Sequence, residues 1–369
     1  MPGNTTVIGS TSSFGAEEKI FYNAVNIAAQ SNYRELAGLK RRFGSWGKAW
    51  RAFFKDVGNA PDPDTAWQEL KRIGLRLVLY EDSDYPPLLK EIPWPPFGIY
   101  VLEGFAKTDN SPRPKGCWDK PTLAIVGTRK ATENGKVTAR HFAEELGRAS
   151  FEIVSGLAFG IDAAAHEGAL NAEGRTIAVL GNGLDRFYPR SNEKLARKII
   201  EHGGIILSEY PPGAVSLPHH FLERNRIISG LSKGVLVIEA PKESGALVTA
   251  RFAIEQNREV FVVPGPHNHP NFQGSHQLIR KGAELITEPK EILESFGFDY
   301  AAAQKDASTL GATKEEQLIL KTLQGAGRPL DIDKIIELTK LETHIVSQAL
   351  SFLLVKNVLK EDEEGYTIN

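Results

Sequence analysis

LAIVGT, residues 123–128, is the first of six apolar runs that decide the fold of this chain. The other five follow it in the order EIVSG (152–156), TIAVLG (176–181), GIILSEY (204–210), GVLVIEA (234–240) and EVFVVPG (259–265). Each run is apolar at almost every position, which is typical of strands buried on both faces of a parallel sheet. Because helical stretches separate most of the runs, the sequence predicts a doubly wound, mostly parallel α/β sheet over residues 121–290.

The segments around this core predict a chain of several parts. Residues 1–15 are small and polar and are predicted to form a flexible tail, and residues 16–75 carry apolar side chains at helical spacing, which predicts a small helical domain. The main domain is predicted to span residues 76–297. Residues 298–312 have the composition of a linker. Residues 313–369 contain three helix candidates and two short terminal strands, a pattern that predicts a winged-helix domain.

One candidate helix within residues 16–75 carries three consecutive cations, Lys40, Arg41 and Arg42. These side chains could contact phosphate, or they could form the solvated face of the helix. The residues alone favour the solvated face.

Composition and charge exclude several classes of protein. The chain has 369 residues and a formal net charge of −2, so it is not a globally basic nucleic-acid binder, although a local basic pocket is compatible with that charge. Its one cysteine cannot form an intramolecular disulfide or a multi-cysteine zinc site, and we expect a reducing, cytoplasmic location. Residues 1–20 lack the pattern of a signal peptide, and no segment offers the roughly 20 apolar residues that span a membrane.

The first apolar run ends at Gly127-Thr128-Arg129, where an open parallel sheet places its ligands. Glycine lets a ligand approach the backbone, the hydroxyl can donate a hydrogen bond, and a guanidinium can hold a phosphate with two bonds. The predicted helix 133–149 adds free N–H groups at its start. Neither G-x-G-x-x-G nor G-x-x-x-x-G-K-[ST] occurs, so no dinucleotide or ATP cofactor is predicted. Five histidines of the core could suggest a metal: His219, His220, His267, His269 and His276. No metal site is predicted, because His267 and His269 flank an asparagine in a proline loop and have no paired carboxylate.

The second strand ends at Ser155-Gly156, followed by Asp162 and His166 at a spacing of four. Four residues are one helical turn, so these two side chains share a face. A hydrogen bond between them would fix the start of the helix, and this reading is favoured because no nucleophile is evident nearby. Acid–base catalysis is the alternative.

The fourth strand leads into Phe221 and then Arg224-Asn225-Arg226. Two arginines with an aromatic ring just before them suit a phosphate backbone and a stacked base. The same arginines could instead bridge carboxylates within the fold. The spacing leaves both interpretations open.

Seven motifs run along residues 127–283, and their order makes the pattern specific. They are GTRxxT (127–132), SGxAxGIDxxAH (155–166), GxGxDxxYPxxN (181–192), SEYPPG (208–213), FxxRNRIISGLS (221–232), EAxxxSGALVTA (239–250) and PGxxxxPxxxGSHxLIxxGA (264–283). In this order they resemble the DNA processing protein A (DprA/Smf) family. The resemblance covers about residues 76–290.

The resemblance implies an extended Rossmann fold, a sterile-alpha-motif-like (SAM-like) domain before it and a winged-helix domain after it. It also implies a non-enzymatic homodimer of bacterial natural transformation, which protects incoming single-stranded DNA and loads the RecA recombinase onto it. Carried over by motif, Arg129 lies at a phosphate-binding pocket. The resemblance further assigns the shaping of that pocket to Gly127, Thr128, Ser155 and Gly156, and its support to Phe221, Arg224, Asn225 and Arg226.

Some positions depart from the family pattern. Phe159 stands where the family usually has an arginine, and Glu223 where it usually has a basic residue. Each lost phosphate contact lowers the affinity for DNA. From Lys314 onward the chain has seven cations and ten carboxylates, so the winged helix is expected to contact protein or to act as a spacer.

Two other functions compete with this interpretation. A nucleotide hydrolase of the lysine-decarboxylase-like phosphoribohydrolase type has a similar first turn. Its Pro-Gly-Gly-x-Gly-Thr loop is replaced here by SGALVT (244–249). A winged-helix transcription regulator is disfavoured by the acidic C-terminal segment, because a helix that reads duplex DNA needs cations toward the phosphates.

Overall fold

A computed structural model of the chain describes residues 11–55, 60–104, 118–298, 313–326, 328–355, 358–362 and 365–368. It divides into two compact units, Met1–Phe296 and Gly297–Asn369. The larger unit contains the sheet, and we describe the two units separately. Within the described ranges, no helix combines the length and the apolar character that crossing a bilayer requires.

The larger unit has twelve α-helices and nine strands among its described residues. The helices are α1 Thr11–Ala28, α2 Tyr33–Phe43, α3 Trp46–Ala49, α4 Pro63–Arg72, α5 Pro87–Lys90, α6 Glu133–Arg148, α7 Ile161–Asn171, α8 Glu193–Glu201, α9 Pro218–Gly230, α10 Gly245–Glu255, α11 Gln273–Arg280 and α12 Pro289–Ser295. The strands are β1 Arg76–Leu79, β2 Gly98–Glu103, β3 Thr122–Gly127, β4 Glu152–Ser155, β5 Thr176–Leu180, β6 Ile205–Ser208, β7 Gly234–Ile238, β8 Glu259–Val262 and β9 Glu284–Leu285.

The nine strands form one sheet in the order β1-β2-β6-β5-β4-β3-β7-β8-β9. All neighbours from β6 to β9 are parallel, whereas β2 is antiparallel to β1 and to β6. The chain builds outward from β3 to β6 and then returns to β7, which pairs with the other side of β3. The strand order therefore reverses between β3 and β7, and this is where such sheets bind ligands. The predicted doubly wound, mostly parallel sheet is confirmed.

Both faces of the sheet are covered, as the continuous apolar runs indicated. In β5, Ile177 and Val179 belong to one hydrophobic cluster and Ala178 and Leu180 to the other. Successive side chains of a strand point to opposite faces, so each central strand contributes to two layers. The first cluster contains side chains of α9 and α10, and the second contains those of the N-terminal helices.

The N-terminal helices pack directly on the sheet. Tyr22 and Trp46 share a hydrophobic cluster with Tyr100 of β2. Helix α1 begins at Thr11, so residues 11–15 of the predicted tail are helical, because the polar residues there do not prevent helix formation ahead of the apolar stretch. Residues 1–10 lie outside the described residues. Whether residues 16–75 form a domain of their own stays a prediction.

Local signals explain the limits of α2. The side chain of Asn32 accepts a hydrogen bond from the Glu35 N–H, which caps the first turn, and Gly44 ends the helix with a left-handed φ of 73°. The helix α3 begins immediately afterwards, behind the Ser45 cap, and runs into a π-helical turn, Trp50–Phe54.

The smaller unit contains helices α13 Lys314–Ala326, α14 Ile332–Thr339 and α15 Thr343–Val355, followed by strands β10 Leu359–Asp362 and β11 Gly365–Ile368. The two strands are antiparallel. Its own cluster of apolar side chains includes Ile319, Ile335 and Leu353. The three helices and the strand pair agree with the elements expected there, whereas the winged-helix assignment stays a prediction. The predicted linker 298–312 falls, apart from Phe298, outside the described residues.

Candidate phosphate-binding pocket at the sheet edge

A cleft of about 640 Å³ opens at the carboxyl ends of β3 and β7, bordered by the first turns of α9 and α10. The strand order reverses at this point. Six of the nine residues predicted for the DNA site lie on its walls: Gly127, Thr128, Arg129, Phe221, Arg224 and Asn225. The structure thus brings together residues that are almost 100 positions apart in the chain.

The turn after β3 requires glycine at its first position. A Cβ on Gly127 would lie 2.0 Å from the Ile238 carbonyl oxygen and 2.4 Å from Cγ1 of Ile161. The next residue, Thr128, donates its N–H to the carbonyl of Glu239 at 2.8 Å, which ties the ends of β3 and β7 together. The close packing of this turn holds Arg129 at the edge of the pocket.

Arg129 is exposed, and its guanidinium carbon lies 5.3 Å from the centre of the Phe221 ring. The guanidinium carbon of Arg224 lies 6.0 Å from the same ring centre. No ion pair ties Arg129 to a carboxylate in the part of the chain that the structure describes. This cation is therefore available to hold an anionic ligand.

Arg224 is the buried cation of the pocket, at 3% exposure. Its guanidinium donates to the carbonyl oxygen of Gly156 at 2.9 Å and also to that of Val179. Burial lowers the pKa of Arg224 to about 10, with Asp162 acting in the opposite direction, so the group remains charged at neutral pH. A buried positive charge held by backbone carbonyls strengthens the positive potential of the site.

Asp162 and Gly156 contact each other next to the Arg224 guanidinium. The Asp162 carboxylate accepts the Gly156 N–H at 3.1 Å. Burial raises the pKa of Asp162, and the positive charge of Arg224 opposes that shift. A Cβ on Gly156 would lie 2.7 Å from both the Arg224 guanidinium and the Asp162 carboxylate, so a larger residue would displace one of these two side chains.

Three of the predicted site residues do not line the cleft. Ser155 is fully buried and donates its hydroxyl to the Ile125 carbonyl at 2.7 Å, which joins β3 to β4. Gly156 lies behind Arg224. Arg226 pairs with the buried carboxylate of Glu209 at 2.6 Å. The two open interpretations of the Arg-Asn-Arg motif therefore each apply to one arginine: Arg224 borders the pocket, and Arg226 bridges a carboxylate. Their roles toward DNA stay predictions.

The favoured hydrogen bond between Asp162 and His166 is not formed, so that expectation was wrong. Asp162 turns back toward Gly156, while the Nδ1 of His166 lies 2.7 Å from the hydroxyl of Thr176 on β5. Burial lowers the pKa of His166 to about 3, so its ring is neutral. Because the side chain has no solvent exposure and does not line the cleft, the structure gives no support to acid–base catalysis by this pair.

Glu239 is a structural residue of the site that sequence reasoning did not single out. It follows β7 with a left-handed φ of 51°, and its buried carboxylate accepts hydrogen bonds from the Thr132 backbone and from Asn271, both at 2.9 Å. A non-glycine residue in this conformation is strained, and the three loops that it joins hold it there. The sequence signals were its place at the end of an apolar run and at the start of the motif EAxxxSGALVTA.

The aromatic wall of the pocket contains a second ring that the sequence analysis missed. Tyr188 is 43% exposed, lines the cleft, and lies 5.3 Å from Phe221 between ring centres. On the opposite side, Ser244 caps α10 and Gly245 exposes the helix start to the cleft. The arrangement combines stacking surfaces, a free guanidinium and a helix N-terminus, which together suit a phosphate attached to a base.

No group of three or more potential metal ligands comes together in the ranges that the structure describes. Among the histidines of the core, His276 lies 3.1 Å from the carbonyl oxygen of Gly265, and His220 stacks on Tyr210. The positions of these two histidine rings are therefore explained by contacts within the fold.

An open α/β sheet with a glycine-lined cationic pocket at its switch point defines a Rossmann-type protein, and the chemistry of this pocket suits a phosphate-bearing ligand. Within that class, the chain belongs to the DNA recombination-mediator protein A family, whose model matches residues 76–297. This confirms the resemblance drawn from the seven motifs. The family is one of recombination mediators rather than enzymes.

Individual relatives support the same assignment. The chain is 52% identical to Protein Smf of Escherichia coli over 176 residues, covering 48% of this chain and 47% of that one. It is 42% identical to DNA processing protein DprA of Bacillus subtilis over 221 residues, covering 60% and 71%. The match spans only about half the length of the Escherichia coli relative.

Two solved structures share the fold. The X-ray structure of DprA from Streptococcus pneumoniae matches with a TM-score of 0.59 and 32% identity over 75% of this chain and 92% of that one. DprA from Helicobacter pylori, described for its unique single-stranded DNA binding mode, matches with a TM-score of 0.51 and 31% identity over 60% of this chain and 95% of that one.

Proposed function

We propose that this protein binds single-stranded DNA at the sheet-edge pocket and acts as a recombination mediator that loads RecA during natural transformation. The observation that carries the proposal is the free, exposed guanidinium of Arg129 beside the Phe221 ring. Family membership and the DNA binding described for the Helicobacter pylori relative support it.

The pocket chemistry suits a strand without sequence preference. Arg129 can hold one phosphate by two parallel bonds, and Phe221 with Tyr188 can stack against any base, since every base has a π-face. A duplex keeps its bases stacked inside, so it cannot use the aromatic wall. Single-strand preference therefore follows from the pairing of a cation with exposed rings.

The nucleotide hydrolase is less well supported by the pocket. Two carboxylates lie on the walls of the pocket. Asp162 accepts a hydrogen bond from the Gly156 N–H, and Glu243 is exposed. Hydrolysis of a glycosidic bond needs a positioned acid or base. The loop at residues 244–249 supplies only one of the three glycines of the hydrolase loop, Gly245.

The partners of the whole protein are part of the same proposal. We infer a homodimer formed through the sheet unit, a RecA contact, and a cytoplasmic location, in agreement with the family resemblance. The acidic C-terminal unit is assigned to protein contacts or to spacing rather than to DNA.

The direct test is fluorescence anisotropy of labelled oligothymidylate, with single strands and duplexes of equal length, at several salt concentrations. We expect preference for the single strand and an affinity that falls as salt rises. Equal affinity for duplex, or binding that salt does not change, would contradict the proposal. Release of free base from nucleoside monophosphates would favour the hydrolase instead.

A further inference from the structure

The N-terminal helices concentrate positive charge that the pocket does not use. Between residues 33 and 55 the chain has one carboxylate, Glu35, and seven cations: Arg34, Lys40, Arg41, Arg42, Lys48, Arg51 and Lys55. The whole chain has a net charge of −2, so the positive charge of this segment is much higher than that of the rest of the chain. A local excess of this kind attracts polyanions.

Two of these cations pair with carboxylates, and two central ones form no ion pair among the described residues. Lys40 pairs with Glu81 at 2.7 Å, and Arg51 pairs with Glu17 at 2.9 Å, which leaves both engaged within the fold. Arg41 and Arg42 are exposed, and neither forms an ion pair with any residue that the structure describes.

Arg42 is accompanied by aromatic rings. Its guanidinium carbon lies 5.1 Å from the Phe43 ring centre and 5.9 Å from that of Phe53. The two rings meet edge to face at 6.3 Å, and Phe53 is 49% exposed. We call Arg41, Arg42, Phe43 and Phe53 the α2–α3 patch.

The π-helical turn Trp50–Phe54 accounts for the exposure of one ring. It buries Trp50 and Phe54 at 7% exposure each, while Phe53 remains on the surface. Short π-helical turns are frequent at functional sites. A purely solvated helix face has no need of a large exposed ring beside its arginines.

We propose that the α2–α3 patch is a second contact for single-stranded nucleic acid, which takes a phosphate on Arg41 or Arg42 and a base on Phe53. Free cations beside exposed rings are the combination that binds single strands without sequence preference. The inference rests on the proposed DNA binding at the pocket. It assigns to the patch a segment of the same strand outside that pocket.

The fold connects the patch to the pocket-bearing helix. Tyr33 is the first residue of α2, and the centre of its ring lies 5.7 Å from the guanidinium carbon of Arg226. Arg226 is on α9, two residues from Arg224. At 1.5 Å per residue, α2 carries the chain about 15 Å from Tyr33 to the patch. A long strand can reach both sites, whereas a strand of only a few nucleotides occupies one of them.

The test compares two lengths of labelled oligothymidylate on the full chain, roughly 6 and roughly 30 nucleotides, chosen to bracket usual site sizes. The variants are Arg41→Ala with Arg42→Ala, and Phe53→Ala. The matched controls are Arg72→Ala, whose side chain is 70% exposed, and Trp94→Ala, whose side chain is 51% exposed. Melting temperatures verify that each variant is folded.

For the long strand, we expect the double arginine variant to reduce the slope of log affinity against log salt by about 0.7, which is the value for one phosphate contact to a single strand. This change corresponds to about fivefold in affinity between 1 M and 0.1 M salt. Phe53→Ala should weaken the binding of the long strand about fivefold or more. The short strand should bind all variants like the unchanged protein, and the controls should match it at both lengths.

Several outcomes would overturn the inference. Unchanged affinity of the variants for the long strand would do so, as would equal losses for both lengths. An equal loss for a duplex of the same length would remove the assignment to single strands. Loss of binding to phosphatidylserine vesicles with unchanged DNA affinity would assign the patch to a membrane surface. If the unchanged protein binds neither oligonucleotide, the proposed function itself fails.

Discussion

The guanidinium carbon of Arg129 lies 5.3 Å from the centre of the Phe221 ring. Arg129 follows β3 and Phe221 stands in the first turn of α9, so this contact joins two elements that meet only because the strand order reverses beside β3. A free cation and an aromatic face are thereby presented to the same ligand, which is the basis of the proposed DNA binding.

Replacing the ring should weaken DNA binding while leaving the fold intact. Phe221→Ala removes one stacking surface, which is worth about 1–3 kcal/mol of binding free energy in proteins that bind single strands. Phe221→Tyr keeps the ring and should bind oligothymidylate like the unchanged protein. Anisotropy titrations of both variants test this, and equal affinity of the alanine variant would show that the ring does not contact a base.

The buried pair of Arg226 and Glu209 should matter for stability rather than for binding. Both side chains are about 10% exposed or less, and Glu209→Ala would leave the Arg226 charge buried without its partner. We expect the free energy of unfolding to fall by about 3–5 kcal/mol in urea denaturation.

Replacing both Arg226 and Glu209 by apolar residues separates a role in stability from a role in DNA binding. Arg226→Met combined with Glu209→Leu should recover much of the stability, because no buried charge remains. Its affinity for single-stranded DNA should equal that of the unchanged protein. A large affinity loss in a well-folded double variant would place Arg226 in direct contact with DNA.

His166 should make the protein less stable as the pH falls. Its pKa is about 3 in the folded chain and about 6.5 in the unfolded chain, so the unfolded state binds the extra proton between those values. The contribution of this group to stability is therefore fully present above pH 6.5 and is lost as the pH falls toward 3, by up to about 1.4 kcal/mol per pH unit.

A His166→Gln variant tests that assignment. Urea denaturation between pH 4 and pH 6 should show a shallower dependence on pH in the variant than in the unchanged protein, by roughly one proton. The pH profile of the variant is subtracted from that of the unchanged protein, because the raised pKa of Asp162 changes the stability of both in the opposite direction. Parallel pH profiles would mean that His166 is protonated in the folded chain.

Self-association should persist without the smaller unit. The N-terminal helices share a hydrophobic cluster with the sheet, so their removal would expose apolar surface, and the suitable truncation retains residues 1–297. We expect light scattering at micromolar concentration to give a dimer for this fragment and for the full chain. A monomeric fragment beside a dimeric full chain would place the dimer contact in the smaller unit.

The sequence predicted the sheet well because its strands are buried on both faces. In β5 and β7 every residue is buried, so the apolar runs coincide with the strands to within two residues. The place of the pocket followed from topology alone, since parallel strands present their carboxyl ends at one edge.

The directions of individual side chains were harder to predict. Arg224 and Arg226 are two residues apart on α9, which is about 200° around a helix, so only one of them can face the pocket. That spacing was available in the sequence as a signal. The turn of Asp162 toward Gly156, and the left-handed conformation of Glu239, depend on loops that meet only in the folded chain.

DNA binding by Arg129 is tested by measuring melting temperature and oligothymidylate affinity together for Arg129→Ala. Arg197→Ala is the control, because that arginine is 65% exposed, pairs with Glu193 and does not line the pocket. Losing one charge-assisted phosphate contact costs about 1.5–3 kcal/mol of binding free energy, or about one to two decades of affinity. We expect that loss, a shallower salt dependence, and a melting temperature nearly unchanged from that of the unsubstituted protein. A large drop in melting temperature with a proportionate loss of binding, or unchanged affinity, would contradict this expectation.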